Sequence, residues 1–302
     1  MSAKTAFLVN PASAAGATGR RWPELSQLAA QLGLEGKAYV SESPGHLGAL
    51  ARQALADGAS LLVVVGGDGS VNEVANGIAG REGVELGIIP RGTGWDFARS
   101  LGIPHGVRDA VAVARDGRAR AIDLGRVSFR SWAGGEETAY FANVASAGMS
   151  GAVARRANKT SKALGGKASY LWATLAVFAR WRNGELTVRV DDERRSALMS
   201  DVIVANGPYL GGGMKMCPQA SPDDGLLDVL LIGDVTKRDL ALALPKIYRG
   251  THLPHPKAEL LRGASVSVEA AEHVPIQLDG EQPGTTPAHF GVVTGGLRVR
   301  VP

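Results

Sequence analysis

Residues 63–78, VVVGGDGSVNEVANGI, hold one aspartate, Asp68, in a glycine turn between an apolar β-branched run and a helical pattern. Gly66, Gly67 and Gly69 let the backbone turn so that successive N–H groups point into one concavity, and a helix beginning near Ser70 adds its positive end. Anions collect at such helix ends, and a polyphosphate fits the layout. Ser70 with Glu73 three residues on reads as a capping box, and Val71, Val74 and Ile78 give the helix one apolar stripe. A carboxylate beside phosphate is repulsive unless a cation bridges the two or the group handles a proton, so Asp68 implies Mg²⁺ or general-base chemistry. Taken alone, a Gly-Asp-Gly is more often a tight turn whose aspartate bonds its own backbone.

A second turn of the same kind follows at 86–101, LGIIPRGTGWDFARSL, where Gly92, Thr93 and Gly94 separate a short apolar strand from another helix. Thr93 can cap that helix or donate to a phosphate, with Asp96 three residues on as its capping partner. The first strand, Thr5 to Val9, ends in Asn10-Pro11 and a loop containing Gly16 and Gly19. Ligands of open α/β sheets sit outside the carboxyl ends of strands, so three such turns define one crevice. Neither common glycine fingerprint applies: Asn72 stands where GxGxxG needs its third glycine, and no GK[ST] is present. The six histidines are scattered and Cys217 is alone, which leaves zinc and thiol chemistry without support.

The elements that must position these turns read as two halves. Up to about residue 123, strands near 5–9, 37–41, 60–65, 85–89 and 119–124 alternate with helices near 21–32, 46–57, 70–79, 96–101 and 107–116, which predicts an α/β domain with a parallel sheet. Beyond Leu124, alternating segments such as Arg126 to Phe129, Leu186 to Val190 and Leu297 to Val301 predict a β-rich, antiparallel, sandwich-like domain. The expected domains are 1–125 and 126–302.

Within this frame the segments NPASAAG at 10–16, GGDGSVNEVANG at 66–77, PRGTGWDFARSLGIP at 90–104, PDDGLLDVLLI at 222–232 and LDGE at 278–281 together resemble the diacylglycerol kinase catalytic family, which includes YegS-like bacterial lipid kinases and sphingosine kinases. The GGDG turn alone is shared with NAD kinases. The resemblance implies ATP-dependent phosphorylation of a lipid hydroxyl, diacylglycerol first among substrates, between an ATP-binding α/β domain and a β-rich lipid-binding domain. It implies that Asn10, Gly66, Gly67, Gly69, Ser70, Gly92 and Thr93 hold ATP. It further implies that Asp68, Asp279 and Glu281 are catalytic, Asp279 favoured as the base, and that Asp224 binds a structural Mg²⁺ with the carbonyls of Ser221 and Leu226. Trp95 departs from the family pattern, which has asparagine there. An NAD-kinase-like phosphotransferase and a non-catalytic nucleotide-binding regulator are the alternatives.

Composition agrees with a globular nucleotide enzyme. The chain has 302 residues, enough for two domains, and its 45% hydrophobic content is ordinary for a soluble protein. The start MSAKTAFLVN runs into a strand without a signal-peptide pattern, so a cytoplasmic location is expected. SYLWATLAVFARWR at 169–182 is apolar nearly all round but shorter than the ~20 residues that span a bilayer, and reads as a buried core helix or a wall of an acyl pocket. Arg155, Arg156, Lys159, Lys162 and Lys167 form a basic cluster suited to anionic lipid head groups or to a solvated helix. The partners that the resemblance implies are ATP and a lipid at the inner membrane face; nucleic acid is not expected, and a homodimer is left open. A net charge of +4 permits such surface contact without demanding it.

Overall fold

The computed structural model describes residues 4–92, 94–159 and 176–302. The chain divides into two compact units, one running to Asp123 and resuming at Thr294–Pro302, the other Leu124–Val293. The first boundary lies two residues before the expected one. The last nine residues join the first unit rather than the second.

The first unit alternates strands and helices: β1 (Thr5–Val9), α1 (Ala17–Gln31), β2 (Lys37–Val40), α2 (His46–Ala56), β3 (Leu61–Gly66), α3 (Asp68–Ile78), β4 (Glu85–Pro90), α4 (Asp96–Ser100) and α5 (Val107–Asp116). Its strands run β2-β1-β3-β4, all parallel, and the carboxyl end of the chain's last strand, β17 (Gly284–Val301), lies parallel beside β4 with Val299 opposite Leu86. Every residue of β1 and β3 is buried, the mark of strands covered on both faces. On one face Phe7, Val9, Val63, Val65 and Ile89 pack with Ala29 of α1 and Val111 and Ala114 of α5. Helices α2 and α3 meet where two glycines remove side chains: a Cβ on Gly77 would lie 2.6 Å from the Gly48 carbonyl oxygen. That close approach fixes the helix following the GGDG turn. The segment Leu297 to Val301, expected in the antiparallel half, is parallel because its alternation fits either sheet type; pairing with β4 decided it.

The second unit contains β5 (Arg118–Ser131, from Leu124 on), β6 (Glu136–Phe141), β7 (Val144–Gly148), α6 (Met149–Lys159), β8 (Gly184–Val190), β9 (Glu193–Met199), β10 (Asp201–Ala205), β11 (Tyr209–Leu210), β12 (Met214–Lys215), β13 (Leu227–Ile232), α7 (Lys237–Arg249), β14 (Ala258–Gly263), β15 (Ser265–Ala270), β16 (Ile276–Leu278) and the first part of β17. One antiparallel sheet places β15 between β17 and β8; a second runs β14-β13-β10-β7-β16. Period-two alternation sorts the second sheet's side chains. Val202, Val204, Val229 and Leu231 face a core shared with Val188, Val266, Val268 and Phe290 of the first sheet, while Ile203, Ala205 and Leu230 face Ile247 of α7. The result is a sandwich with a helix on its outer face, as the alternation of the second half leads one to expect.

Only 176–182 of the apolar segment 169–182 lie within the described residues. There Val177, Phe178 and Trp181 pack on Met149 and Val153 of α6, which fits the core reading for that end. Arg155 and Arg156 of the basic cluster are exposed; the side chains of Lys159, Lys162 and Lys167 lie outside the described residues.

Candidate active site

The GGDG turn begins its helix earlier than the capping-box reading expects. Helix α3 starts at Asp68, its N-cap is Gly67 in an extended conformation, and no side chain caps it. Ser70 sits inside the first turn, 3% exposed, and its Oγ accepts a hydrogen bond from Asn10 Nδ2 at 2.9 Å. Glu73 Oε2 accepts the Leu47 N–H at 3.0 Å, so it caps α2 rather than its own helix. The physical reason is that Gly67 adopts the N-cap backbone without a side chain, and Asp68 in the first turn complements the helix dipole. Asn10 thereby ties the β1 turn to α3, while its Oδ1 accepts the Ala12 N–H at 3.0 Å.

The β3 and β4 turns pack backbone against backbone. A Cβ on Gly92 would lie 2.7 Å from Gly67 Cα, a distance no side chain tolerates. Asp68 Oδ1 accepts the Phe97 N–H at 3.0 Å and so caps α4, the helix after the other turn. Burial pushes the Asp68 carboxyl above its ordinary range, opposed by the N–H groups of Phe97 and Asp96 and by the charge of Arg99. Asp96 pairs with Arg99 at 2.8 Å. Thr93 lies outside the described residues. Trp95 is left-handed at φ 42°, a costly conformation for a bulky residue, with the Arg99 guanidinium 4.3 Å over its ring and His105 5.0 Å away. Arg91 donates its backbone N–H to Gly66, and its buried Nε has no acceptor in the described protein. A separate cavity of about 260 Å³, lined by Lys4, Thr5, Lys37, Tyr39 and Asp57, opens at the amino ends of β1 and β2, the wrong end of the sheet for these turns.

In the second unit, LDGE closes a two-residue hairpin: Leu278 and Glu281 exchange backbone hydrogen bonds of 2.8 and 2.9 Å, with Asp279 and Gly280 both at positive φ. Asp-Gly is a favoured dipeptide for such a turn, a signal readable in sequence. Asp279 does more than turn the chain. Its Oδ2 accepts the Ala142 N–H at 2.7 Å and its Oδ1 accepts those of Asn143 and Val144 at 3.0 and 2.9 Å. The carboxylate is committed to holding the approach to β7, a role that no local pattern announces because its partners are about 136 residues away. The Glu281 side chain is exposed at the end of the same turn.

At the DDG turn, Asp224 Oδ1 accepts the Leu226 N–H at 3.0 Å and its Oδ2 pairs with Arg262. Ser221 Oγ donates to Asp223. Arg262 also lies 3.5 Å from Asp228, which is 1% exposed and whose Oδ1 has no partner among the described residues. Burial first, and the neighbouring Asp224 charge next among the raising causes, lift the Asp228 carboxyl; Arg262 opposes them. One carboxylate with carbonyl oxygens is the donor type a hard cation takes, so the residues fit Mg²⁺ in chemistry, in competition with Arg262. No cluster of three His, Cys, Asp or Glu groups occurs among the described residues.

The sequence model of the diacylglycerol kinase catalytic domain matches residues 4–127, and that of the YegS C-terminal NAD kinase beta sandwich-like domain matches residues 143–301. A diacylglycerol kinase of Staphylococcus carnosus is 28% identical over 96% of this chain and 92% of its own. A protein of Pseudomonas aeruginosa named a probable YegS-like lipid kinase is 34% identical over 90% of this chain and 86% of its own. In fold, a diacylglycerol kinase from Bacillus anthracis superposes with a TM-score of 0.73 at 19% identity, covering 99% of this chain and 97% of that one. Yeast NADH kinase gives 0.53 at 9% identity, covering 99% and 83%. With both domain models matched in order and a relative at 34% identity along most of its length, the chain belongs to the family of diacylglycerol kinases and YegS-like lipid kinases.

Proposed function

We propose that the protein transfers the γ-phosphate of ATP to the hydroxyl of a lipid, diacylglycerol first among substrates. The observation that carries this reading is the backbone contact of Gly67 with Gly92, which joins two glycine turns and the half-buried Asp68 at the carboxyl ends of β3 and β4. Phosphoryl transfer needs positioning and charge neutralisation more than covalent help, and such a turn pair supplies N–H donors that require no reorganisation.

The roles divide by unit. Asn10, Gly66, Gly67, Gly69, Ser70, Gly92 and Thr93 line or support the ATP turns, and Arg91 offers an unspent N–H beside them. Asp68 holds α4 in place through Phe97 and orients the acceptor. Asp279, spent on three backbone N–H groups, builds its turn, which leaves Glu281 to take the proton from the lipid hydroxyl as its oxygen attacks the γ-phosphorus and the bond to ADP breaks. Sequence reasoning favours Asp279 as base; the hydrogen bonds it makes favour Glu281. Mg²⁺ would be held by Asp224 with the Ser221 and Leu226 carbonyls, supplying positive charge that fixes the DDG turn.

Among the described residues no helix is long and apolar enough to cross a membrane. The proposal has the enzyme reach its lipid at a membrane surface, on the inner, cytoplasmic face. Labelled ATP offered with mixed lipids, with NAD and with no acceptor tests the proposal. Label in the organic phase supports it. Phosphorylated NAD would replace it with the NAD-kinase-like reading, and no transfer with tight ATP binding would leave the regulatory one.

A further inference from the structure

The outward face of α7 is unusual for a helix on a sandwich. Leu242 is 63% exposed, the most exposed of the five large hydrophobic side chains that stand exposed among the described residues. The opposite face, Leu240, Ala243 and Ile247, packs on Met216, Cys217 and Leu230, so the helix is anchored and cannot roll to hide Leu242. At 3.6 residues per turn, Arg238, Lys246 and Arg249 fall within about 40° of Leu242. The helix's one acid, Asp239, is taken: it closes the capping box with Thr236 and pairs with Lys257 at 2.7 Å. Lys246 and Arg249 in the last turn suit the helix dipole, but Lys237 and Arg238 sit at its positive end, where cations are disfavoured. Helix stability therefore does not account for them.

From this face we infer that α7 docks the protein on an anionic bilayer, Leu242 entering the head-group region inside a ring formed by Arg238, Lys246 and Arg249. Basic flanks around an exposed apolar centre are what a surface-lying helix presents to anionic lipid. A symmetric contact with a second copy would set these cations against one another. The inference rests on the lipid-kinase reading for its purpose, but not for its test.

Vesicle co-sedimentation without ATP reads docking alone. Wild type binds vesicles of equal phosphatidylglycerol and phosphatidylcholine, with binding falling as salt rises, and does not bind pure phosphatidylcholine. Each cation near such a surface strengthens partitioning about five-fold, so the exposed triple variant Arg238→Ala, Lys246→Ala, Arg249→Ala binds about 100-fold more weakly. Leu242→Cys carrying an environment-sensitive dye reports insertion as a blue shift, because the native thiol, Cys217, is buried. Absent wild-type binding, equal binding to neutral vesicles, a triple variant within two-fold of wild type, or no dye shift would each overturn the inference. Transfer to a short-chain, water-dispersed diacylglycerol is measured in parallel. The triple variant keeps it within two-fold of wild type, whereas wild type without any transfer refutes the kinase reading and leaves the docking result standing on its own.

Discussion

Replacing Asp279 and Glu281 separately distinguishes building a turn from doing chemistry. Asp279→Ala removes the acceptor of three backbone N–H groups, at 2.7, 3.0 and 2.9 Å. Hydrogen bonds to a charged acceptor contribute about 1.5–3 kcal/mol each, and a partial return of water to a half-buried turn offsets some of that, so the loss is about 4 kcal/mol. For a unit of this size that lowers the melting temperature by about 10 °C. Asp279→Asn loses less, since one oxygen still serves Asn143 and Val144 while its amide confronts the Ala142 N–H. Glu281→Gln, exposed, changes stability by under about 0.5 kcal/mol. A positioned base contributes about 10²–10⁴ in rate, so transfer falls at least about 100-fold while melting is unchanged. The assays are calorimetric melting and single-turnover transfer to diacylglycerol. Asp279→Ala melting like wild type, or Glu281→Gln transferring at the wild-type rate, would refute the division of roles.

Gly92→Ala forces the β3 and β4 turns apart by the space of a methyl group and raises the Kd for ATP more than ten-fold; calorimetric titration giving unchanged affinity would separate the turns from nucleotide binding. Asp201 is buried beneath the start of α6, where its Oδ2 accepts the Ser150 N–H at 2.8 Å and its Oδ1 has no partner among the described residues, and burial pushes it from 3.8 up to about 7. It keeps its proton in the fold where the open chain has released it, so stability falls by up to about 4 kcal/mol as pH rises from about 4 to about 7 and stays low above that. Asp201→Asn abolishes that fall, and an identical pH–melting profile in the variant would assign it to another group. If Mg²⁺ binds at the DDG turn, it raises the melting temperature of wild type but not of Asp224→Ala; an equal shift in both would move the metal elsewhere.

The parallel sheet, the sandwich and the glycine turns were legible because each is written in local spacing: an all-apolar run for β3, period-two alternation in β8, and the glycines around Asp68 and after Pro90. Membership of the family rested likewise on five ordered segments. The caps were misread for a definite reason. Ser70 and Glu73 have the spacing of a capping box, yet Gly67 had already opened the helix, and their side chains were then free to bind Asn10 and the Leu47 N–H across the fold.

What the sequence determined by itself is therefore which turns exist and what anion they suit, since backbone freedom and β-branching act within a few residues. What only tertiary structure decided is how each carboxylate is spent: Asp68 on α4, Asp279 on the entry to β7, Asp224 on Arg262. A carboxylate's partners are chosen by proximity in space, and the three N–H groups that Asp279 accepts lie more than a hundred residues away, beyond what local spacing can see.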